Sequence, residues 1–392
     1  MKIRRVHAFP LQARIDDLGE APVSVPRAKA TAGLVFGGYR SLLVRIDTDE
    51  GFSGAGEGLV RLAPRATAAI VDELASLVIG RDPFDIAVIW EDLYATMVNR
   101  GHNRGFMLEA ISAIDIALWD LIGQARGEPL HRSLGGAHRR SVVCYASSLR
   151  IKPPDRVVQD ARALVDAGFD AVKLKIGRPG RRLDDDVAAV HAVRAAIGPT
   201  TDLMVDANGA YSVADAAYVA AGMTDARIRW FEEPIAADDL TGYGRLRNRV
   251  SMPIAAGEAW FTRYDFREAF VRDAVDIAQP DVSRCGGVSE AMKIAHMASA
   301  FHVDYAPHTG QSSAICLVTS MHLAIAVPNA ITYEFIAADW SGTQPNPLRT
   351  EISDFDFEAT RSGGMVTPPR TPGIGLTVDW ASLAAYAAPP GT

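Results

Sequence analysis

From about residue 141 the chain alternates short apolar runs with longer stretches in which apolar residues recur at helical spacing. Eight strand candidates stand out, at 141–147, 170–176, 203–208, 228–233, 253–258, 275–281, 303–308 and 330–335. Eight strand–helix repeats of this kind predict an α/β fold of the (β/α)8 barrel type over residues 138–345. A doubly wound sheet is the alternative, but it would place a glycine-rich dinucleotide loop after its first strand, and none is present.

The first third of the chain has a different pattern. Ser41–Gly58 reads as two strands joined by a turn at Asp49–Gly51, and helical spacing follows near Pro64, after Pro83 and from Gly105. We therefore expect an α+β capping domain over residues 1–130. The segment 353–392, rich in glycine and proline, is expected to return irregularly to this domain, complete it, and end in a short helix near Trp380.

Composition narrows the class of protein. The 392 residues are 48% hydrophobic and carry a net charge of −7, with no basic stripe, so we do not expect nucleic acid as a partner. The chain shows neither an apolar run of membrane-span length nor the apolar core of a signal peptide, so we expect no membrane partner and a cytoplasmic location. Three distant cysteines, Cys144, Cys285 and Cys316, are expected to be buried thiols.

Polar residues recur at the carboxyl ends of the predicted strands. They are Lys173 and Lys175, Asp206, Glu232, Glu258, Asp281, His308 and Glu334, in the order of strands two to eight. The carboxyl ends of barrel strands form the catalytic face of this fold. The spacing therefore predicts that these side chains meet in one active site.

Two lysines share the inner side of the second barrel strand. In DAVKLKI, Val172 and Leu174 point to one face while Lys173 and Lys175 point to the other. If the apolar face packs on the outer helices, both lysines lie inside the barrel. There, like charge and desolvation are expected to lower a lysine's pKa and make it a base. The alternative, a pair of solvated lysines on an edge strand, fits poorly with a second position in an eightfold repeat.

Three carboxylates, Asp206, Glu232 and Glu258, end adjacent strands. Convergent carboxylates cannot all remain ionised without a cation, and oxygen ligands alone favour a hard ion such as Mg²⁺. A salt bridge or a helix cap would explain any one of these acids. Three on successive strands favour a metal site, with one Mg²⁺ per subunit.

Asp281 and His308 end the next two strands. A carboxylate behind an imidazole fixes its tautomer and raises its basicity, so His308 is a candidate second acid or base. Strands six and seven lie roughly opposite strand two in such a barrel. We therefore expect His308 and Lys175 to approach a substrate from opposite sides.

The ordered motifs resemble a known family. Lys173-x-Lys175, VDAN (205–208), EEP (232–234), GE (257–258), QPD (279–281) and PH (307–308) resemble the enolase superfamily, and the lysine pair with a His–Asp dyad resembles its mandelate racemase subgroup. As is general for that superfamily, the resemblance implies a lysine or histidine base working with an enediolate stabilised by Mg²⁺.

The resemblance also implies a role for each matching residue. Asp206, Glu232 and Glu258 bind Mg²⁺, Lys175 is a base whose pKa is lowered by Lys173, and His308 with Asp281 is the second base or acid. Glu334, in its protonated form, donates a hydrogen bond to the enediolate oxygen. Asn208 contacts the metal-bound substrate.

Arg284 departs from one branch of the superfamily. The muconate-lactonizing subgroup uses a lysine three residues after the position of Asp281, and here that position is an arginine, which cannot act as a base. Arg284 is therefore a candidate ligand for a substrate carboxylate. Arg27 and Lys29, in the expected cap loop, suit a polyhydroxylated or dianionic substrate.

Most members of the subgroup act on acid sugars, and the segments 346–349 and 363–376 resemble those of galactarolactone cycloisomerases and related sugar-acid enzymes. We accordingly predict a Mg²⁺-dependent acid-sugar dehydratase that acts on a small sugar acid or diacid as a homo-oligomer. A cycloisomerase or a racemase or epimerase using the same enediolate is the alternative. A silent sugar-acid sensor would have lost a base or a ligand, and none is lost.

Overall fold

In a computed structural model of the protein, the described residues are 1–15, 37–150, 152–177, 180–337 and 345–389. They begin with an antiparallel sheet of three strands, β1 (Ile3–Arg14), β2 (Gly38–Thr48) and β3 (Ser53–Gly58), in the order β1-β2-β3. The predicted turn at Asp49–Gly51 joins β2 to β3. The long strand β1 was not predicted from the sequence.

Four helices follow the sheet: α1 (Pro64–Val78), α2 (Ile86–Val98), α3 (Phe106–Arg126) and α4 (Leu130–Ser133), with a 3₁₀ turn at Pro83–Asp85. Helix α3 is buried along most of its length, because apolar residues lie on nearly every side of it. It packs directly on the backbone of β3, where Gly54, Gly56 and Gly58 face the helix. A Cβ at Gly56 would lie only 1.9 Å from the Ala113 carbonyl oxygen.

The predicted barrel is confirmed. Its parallel strands are β4 (Val142–Leu149), β5 (Ala171–Lys175), β6 (Asp202–Asp206), β7 (Ile228–Glu232), β8 (Ile254–Ala256), β9 (Ile277–Ala278), β10 (Asp304–Tyr305) and β11 (Tyr333–Ile336). They pair in sequence from β4 to β10, and β11 pairs with β4. A bridge between Tyr305 and Ala330 closes the ring between β10 and β11.

Helices alternate with the strands and cover the outside of the barrel. They are α5 (Pro154–Asp166), α6 (Leu183–Ile197), α7 (Val213–Gly222), α8 (Leu240–Arg247), α9 (Thr262–Val271), α10 (Gly287–Ala300) and α11 (Ala314–Ala326), followed by α12 (Pro347–Thr350). Within the described residues, no helix has the length and apolar character needed to cross a membrane. Cys144, Cys285 and Cys316 are free and buried, as predicted.

Two layers of apolar side chains position the site. Outward-facing strand residues such as Val172 and Leu174 join the large core beneath the helices. The barrel interior holds a smaller cluster of Tyr145, Ala171, Met204, Trp230, Ala255, Ile277 and Ala306. This inner cluster fills the barrel, so the polar residues at the strand ends lie above packed apolar side chains and not in an open pore.

The segment after α12 contacts both parts of the molecule. Strands β12 (Arg361–Ser362) and β13 (Met365–Val366) form a hairpin, and β13 pairs antiparallel with the start of β4. Farther on, the Leu130 amide donates to the Gly373 carbonyl, and Leu11 bridges to Ala387. Two 3₁₀ turns, Glu358–Thr360 and Ser382–Tyr386, complete the segment. The second is the short helix expected near Trp380, while the hairpin was not anticipated.

Candidate active site

Three carboxylates converge at the mouth of the barrel. Asp206 and Glu232 are the last residues of β6 and β7, and Glu258 lies just after β8. One oxygen from each lies within 4.8 Å of the others, and Asp206 and Glu232 are almost fully buried. A purely oxygen donor set of this size suits a hard divalent cation such as Mg²⁺. The residues therefore fit the metal that the sequence predicts.

Neighbours fix the orientation of Glu232. Its Oε2 accepts hydrogen bonds from Trp230 Nε1 at 3.1 Å and from Gln279 Nε2 at 2.7 Å, while Oε1 lies 2.5 Å from Lys173 Nζ. Burial raises the pKa of Glu232 to about 7, and the charge of Lys173 opposes that rise. A bound cation would favour the ionised form further.

The two lysines occupy different environments within the barrel. Lys173 is buried, and its Nζ lies 2.9 Å from Glu334 Oε1 and 3.4 Å from the Tyr145 hydroxyl, in addition to Glu232. Lys175 is a quarter exposed, and its Nζ contacts Asp206 Oδ2 and lies 3.0 Å from Asn208 Oδ1. Lys175 is thus the lysine that faces the open part of the mouth.

The lysine pKa values require a correction. We expected Lys173 and desolvation to lower the pKa of Lys175, and both do act in that direction. The net pKa of Lys175 is nevertheless raised, because the charges of Asp206, Glu258 and Glu232 outweigh them. The same balance raises the pKa of Lys173 well above its usual range. The three acids that face Lys175 lie on other strands, so the local pattern around the two lysines does not reveal their charge.

His308 connects the dyad to the carboxylate cluster. Its Nδ1 lies 2.7 Å from Asp281 Oδ2, and its Nε2 lies 3.1 Å from Glu258 Oε2. Burial alone would lower the pKa of the imidazole, but Glu258, Glu334 and Asp281 raise it well above its usual range. Burial likewise favours the neutral acid at Glu258, but the charges of His308 and the lysines hold the pKa of Glu258 well below its usual range.

Hydrogen-bond donors surround the Glu334 carboxyl group. It accepts hydrogen bonds from Ser147 Oγ at 2.6 Å, from Lys173 Nζ at 2.9 Å and from the Thr309 amide at 2.9 Å. Burial would raise the pKa of Glu334, but Lys173 and His308 outweigh it and bring this pKa down to about 2. These contacts and the lowered pKa favour the carboxylate form of Glu334, and the protonated donor implied by the resemblance stays a prediction.

The structure treats the four expected substrate ligands differently. Asn208 lies beside the cluster, with its backbone N–H donating to Asp206 Oδ1 at 2.8 Å. Arg284 lies at the mouth, where Nη1 donates to the Glu258 carbonyl at 3.1 Å and Nε lies 3.4 Å from Glu109 Oε1. Arg27 and Lys29 lie outside the described residues.

Two residues of the first domain reach the mouth and were not singled out from the sequence. Arg61 follows β3, and its guanidinium comes close to His308 across Gly310. Glu109, in the first turn of α3, contacts Arg284. Their approach depends on how the first domain docks on the barrel, which no local pattern encodes. Gln279, which holds Glu232, could have been noticed within the QPD motif.

The fold and the site together define a barrel enzyme with a carboxylate centre suited to a divalent cation. The family comparison agrees: residues 156–382 match the enolase C-terminal domain-like family, and residues 21–135 match the mandelate racemase/muconate lactonizing enzyme N-terminal domain. The chain belongs to the enolase superfamily, in its mandelate racemase group. Its relatives are lyases and isomerases.

Named relatives match nearly the whole chain. D-galactarolactone cycloisomerase of Agrobacterium fabrum is 35% identical over 99% of this chain and 100% of its own. D-galactonate dehydratase of Ralstonia pickettii is 35% identical over 87% of this chain and 89% of its own.

Solved structures agree with this family. A 3,6-anhydro-D-galactonate cycloisomerase from Zobellia galactanivorans has a TM-score of 0.85 and 30% identity, with coverage of 99% of this chain and 100% of its own. A racemase from Streptomyces coelicolor A3(2), crystallised with bound magnesium, has a TM-score of 0.84 and 28% identity, with coverage of 98% and 100%. Magnesium is typical of the superfamily.

Proposed function

We propose that the protein is a Mg²⁺-dependent acid-sugar dehydratase. One observation carries the proposal: the two candidate bases contact the two outer members of the carboxylate cluster. Lys175 contacts Asp206 on one side, and His308 contacts Glu258 on the other, with Glu232 between them. A substrate carboxylate bound at this centre would have a proton-transfer group on each side of its α-carbon.

The reaction follows from these positions. One of Lys175 and His308 removes the proton α to the carboxylate, and the other, in its protonated form, protonates the β-hydroxyl, which leaves as water. The enol that remains becomes a 2-keto-3-deoxy sugar acid. Mg²⁺ held by Asp206, Glu232 and Glu258 would supply the charge that stabilises the enediolate. Asn208 would orient the substrate, and a positioned base contributes about 10²–10⁴-fold to the rate.

The raised lysine and histidine pKa values fit this scheme. Carboxylate charge favours the protonated forms of Lys175 and His308. A divalent cation on the same carboxylates would offset that charge and bring both groups closer to the proton-transfer range. Glu334 takes a positioning role: it accepts hydrogen bonds from Lys173 Nζ and from the Thr309 amide, next to His308.

A product screen tests the proposal. Sugar monoacids and diacids are incubated with the enzyme and Mg²⁺, and formation of a 2-keto product is measured. Glu232→Gln should abolish turnover, while the variant remains folded and still unfolds cooperatively on heating. Full activity in excess chelator would contradict the metal assignment, and absence of any 2-keto product across the library would contradict the dehydratase.

A second candidate is a cycloisomerase acting on a sugar-acid lactone. The 35% identity to D-galactarolactone cycloisomerase over 99% of the chain favours it specifically. Lactone turnover without 2-keto product from the open acids would replace the dehydratase by this activity. Inversion at the α-carbon without loss of water would indicate a racemase or epimerase.

We also propose one Mg²⁺ per subunit, a homo-oligomeric assembly and a cytoplasmic location. Among the described residues, one group of acids could hold a metal ion, which supports the stoichiometry. Calorimetric titration with Mg²⁺ should give one site per chain. Light scattering measures the assembly, and fractionation of cells measures the location.

A further inference from the structure

A buried carboxyl group of the capping domain lies at the start of a barrel helix. Glu57 of β3 is fully buried, and donors surround both of its oxygens. They are Ser41 Oγ at 2.8 Å, the Ser313 amide at 2.8 Å, Ser313 Oγ at 2.7 Å and the Cys316 amide at 2.9 Å. Ser313 precedes α11, and Cys316 lies in its first turn. The helix dipole favours a carboxylate here, and the carboxylate accepts from amides for which the helix itself supplies no acceptor.

The contacts continue from this helix to the Asp281–His308 dyad. Cys316 Sγ lies 3.9 Å from Asp281 Oδ1, the oxygen that also accepts from the Ser283 amide at 2.8 Å. The other oxygen of Asp281 lies 2.7 Å from His308 Nδ1. Cys316 Sγ also lies 4.0 Å from the carbonyl oxygen of Thr309, the residue after His308. One residue in the first turn of α11 therefore contacts the loops after β9 and β10, which carry the two members of the dyad.

The end of β3 also reaches the loop after β9 through its backbone. The Leu59 amide donates to the Ser283 carbonyl at 3.0 Å. Glu57 and Leu59 thus hold both loops of the dyad from one short segment of the capping domain. Lys175, by contrast, lies on β5 with its Nζ against Asp206 of β6. A change at the end of β3 should therefore affect the histidine side of the site more than the lysine side.

We propose that Glu57 is a positioning residue for the dyad: through Ser313 and Cys316 it fixes the orientation of the His308 imidazole toward the substrate. The inference rests on the proposed function, in which His308 is one of the two proton-transfer groups. Because Glu57 acts through other residues, its effect must appear in the placement of the imidazole, where a shift of about 1 Å can cost roughly 10²-fold in rate. Without the carboxylate, buried amides of α11 would lack acceptors, and the loop would have to move to satisfy them.

The first test observes the dyad without turnover. In the Mg²⁺-loaded protein with isotope-labelled histidine, the proton between His308 Nδ1 and Asp281 should give a downfield NMR signal, assigned by its absence in His308→Asn. Glu57→Gln keeps the shape but turns an NH₂ group toward the amides of α11. The signal should therefore move upfield and exchange with water at least about tenfold faster.

Asp120→Asn is the matched control for Glu57→Gln. Asp120 of α3 is also buried and accepts from two backbone amides, but it lies between β3 and the C-terminal segment rather than against α11. Its replacement removes a similar set of hydrogen bonds from the capping domain. The downfield signal of the dyad should stay unchanged in Asp120→Asn.

The second test measures the rate with the sugar acid that has the highest turnover in the product screen. Glu57→Gln should lower kcat by about 10–100-fold, while KM and the Kd for Mg²⁺ change little. In the His308→Asn background the same substitution should lower kcat by less than about twofold more, because the group that Glu57 positions is already absent. A merely structural effect would multiply the two losses.

Ser313→Ala is a second variant in case Glu57→Gln does not fold. It removes only one hydroxyl donor, so the downfield signal should move in the same direction by a smaller amount. An unchanged signal in whichever variant folds, or an equal change in Asp120→Asn, would overturn the positioning role. So would weaker Mg²⁺ binding by Glu57→Gln, since the change would then extend to the whole mouth. Absence of turnover on every sugar acid, with the signal altered by Glu57→Gln and not by Asp120→Asn, would reject the dehydratase and leave the positioning role standing.

Discussion

Lys175 and His308 contact opposite ends of one carboxylate cluster, so replacing each alone should separate their roles. We expect Lys175→Ala and His308→Asn each to reduce net dehydration by at least about 10²-fold, the lower range for a positioned acid or base. The variant that lacks the abstracting base should also lose exchange of the α-proton with deuterated solvent, measured by NMR.

The other variant should retain exchange while water is not lost, provided that the abstracted proton escapes to solvent. Near-normal turnover in both variants would reject the assignment of both bases. Loss of exchange in both would mean that one group serves as acid and base while the other supplies charge. His296→Asn, an exposed histidine on α10, is the control.

Lys173 compensates buried carboxylates, and its removal should be costly. Lys173→Met would leave Glu232 and Glu334 without their cation and should lower the free energy of unfolding by about 3–5 kcal/mol in chelator. Added Mg²⁺ should recover part of the loss, because a divalent ion would compensate the same acids. Thermal unfolding with and without Mg²⁺ measures this.

Lys152→Met is the matched control for Lys173. Its exposed pair with Asp160 should contribute about 0–1 kcal/mol. If Lys173→Met were as stable as Lys152→Met, the buried lysine would not be holding the acids together. If Mg²⁺ had no effect on the Lys173→Met variant, the carboxylate cluster would not be the metal site.

At the scale of single residues, the sequence predicts where a site residue lies better than it predicts whether that residue is charged. Strand ends and a period of two were sufficient to bring Asp206, Glu232 and Lys173 into one expected site. The surroundings of the Glu334 carboxyl group were not accessible, because they include Lys173 of β5, Ser147 of β4 and Thr309 of the loop after β10. Ionisation follows from neighbours in space, and these are distant in sequence.

Among the secondary-structure elements, the contact of β3 with α3 depends most on residue size. Gly56→Ala would place a methyl group against the backbone of α3, which cannot move as a side chain can. We expect the free energy of unfolding to fall by more than about 3 kcal/mol, at the upper end for overpacking, and the Tm to fall with it. Gly51→Ala, at a turn with open space and φ of +86°, should cost only about 1–2 kcal/mol.

An equal effect of the two substitutions would mean that α3 can shift away from β3. In that case Glu109, which is carried by the first turn of α3, would also be free to leave Arg284. A shift of α3 would then appear as a drop in kcat/KM with little change in Tm. A tightly fixed helix predicts the opposite, a large drop in Tm.

Elements were predictable where the local pattern was strong. The barrel strands have apolar runs and a regular interval, and each was found close to its expected place, although β9 and β10 have only two residues each in the sheet. Strand β1 was missed because RRVHAFPLQAR alternates weakly and is stabilised by pairing with β2. The hairpin of β12 and β13 was missed because it forms against β4, more than two hundred residues earlier.

At the scale of the whole molecule, a strand of the capping domain holds the barrel loop that carries His308. Glu57 of β3 is buried and accepts hydrogen bonds from Ser41 Oγ, from the Ser313 amide and hydroxyl, and from the Cys316 amide. Ser313 precedes α11, and His308 lies five residues earlier. The capping domain therefore stabilises the segment that carries the His308 imidazole.

A pair of histidines joins three distant segments and should make stability depend on pH. His131 of α4 and His322 of α11 have Nδ1 atoms 2.9 Å apart, and His322 Nε2 lies 3.1 Å from the Ile374 carbonyl oxygen. Burial, with the charge of His131, lowers the pKa of His322 to about 3. The unfolded chain therefore binds a proton below about pH 6.5 that the folded chain does not.

The contribution of the neutral His322 to the free energy of unfolding is fully present above about pH 6.5. It is lost as the pH falls toward 3, because the unfolded chain takes up a proton there and the folded chain does not. His322→Gln should make the free energy of unfolding less steep between these values, by up to about 1.4 kcal/mol per pH unit. Urea unfolding at several pH values measures the slope. The exposed His296→Gln is the control, and an unchanged slope in His322→Gln would contradict the low pKa.

The bridge between Leu11 and Ala387 has a consequence for biosynthesis. During synthesis β1 leaves the ribosome long before Ala387, which pairs with its edge. The capping domain therefore lacks this pairing while the entire barrel is translated. We therefore expect the capping domain to reach its full stability only after synthesis of the barrel is finished, rather than to become more stable step by step with the nascent chain.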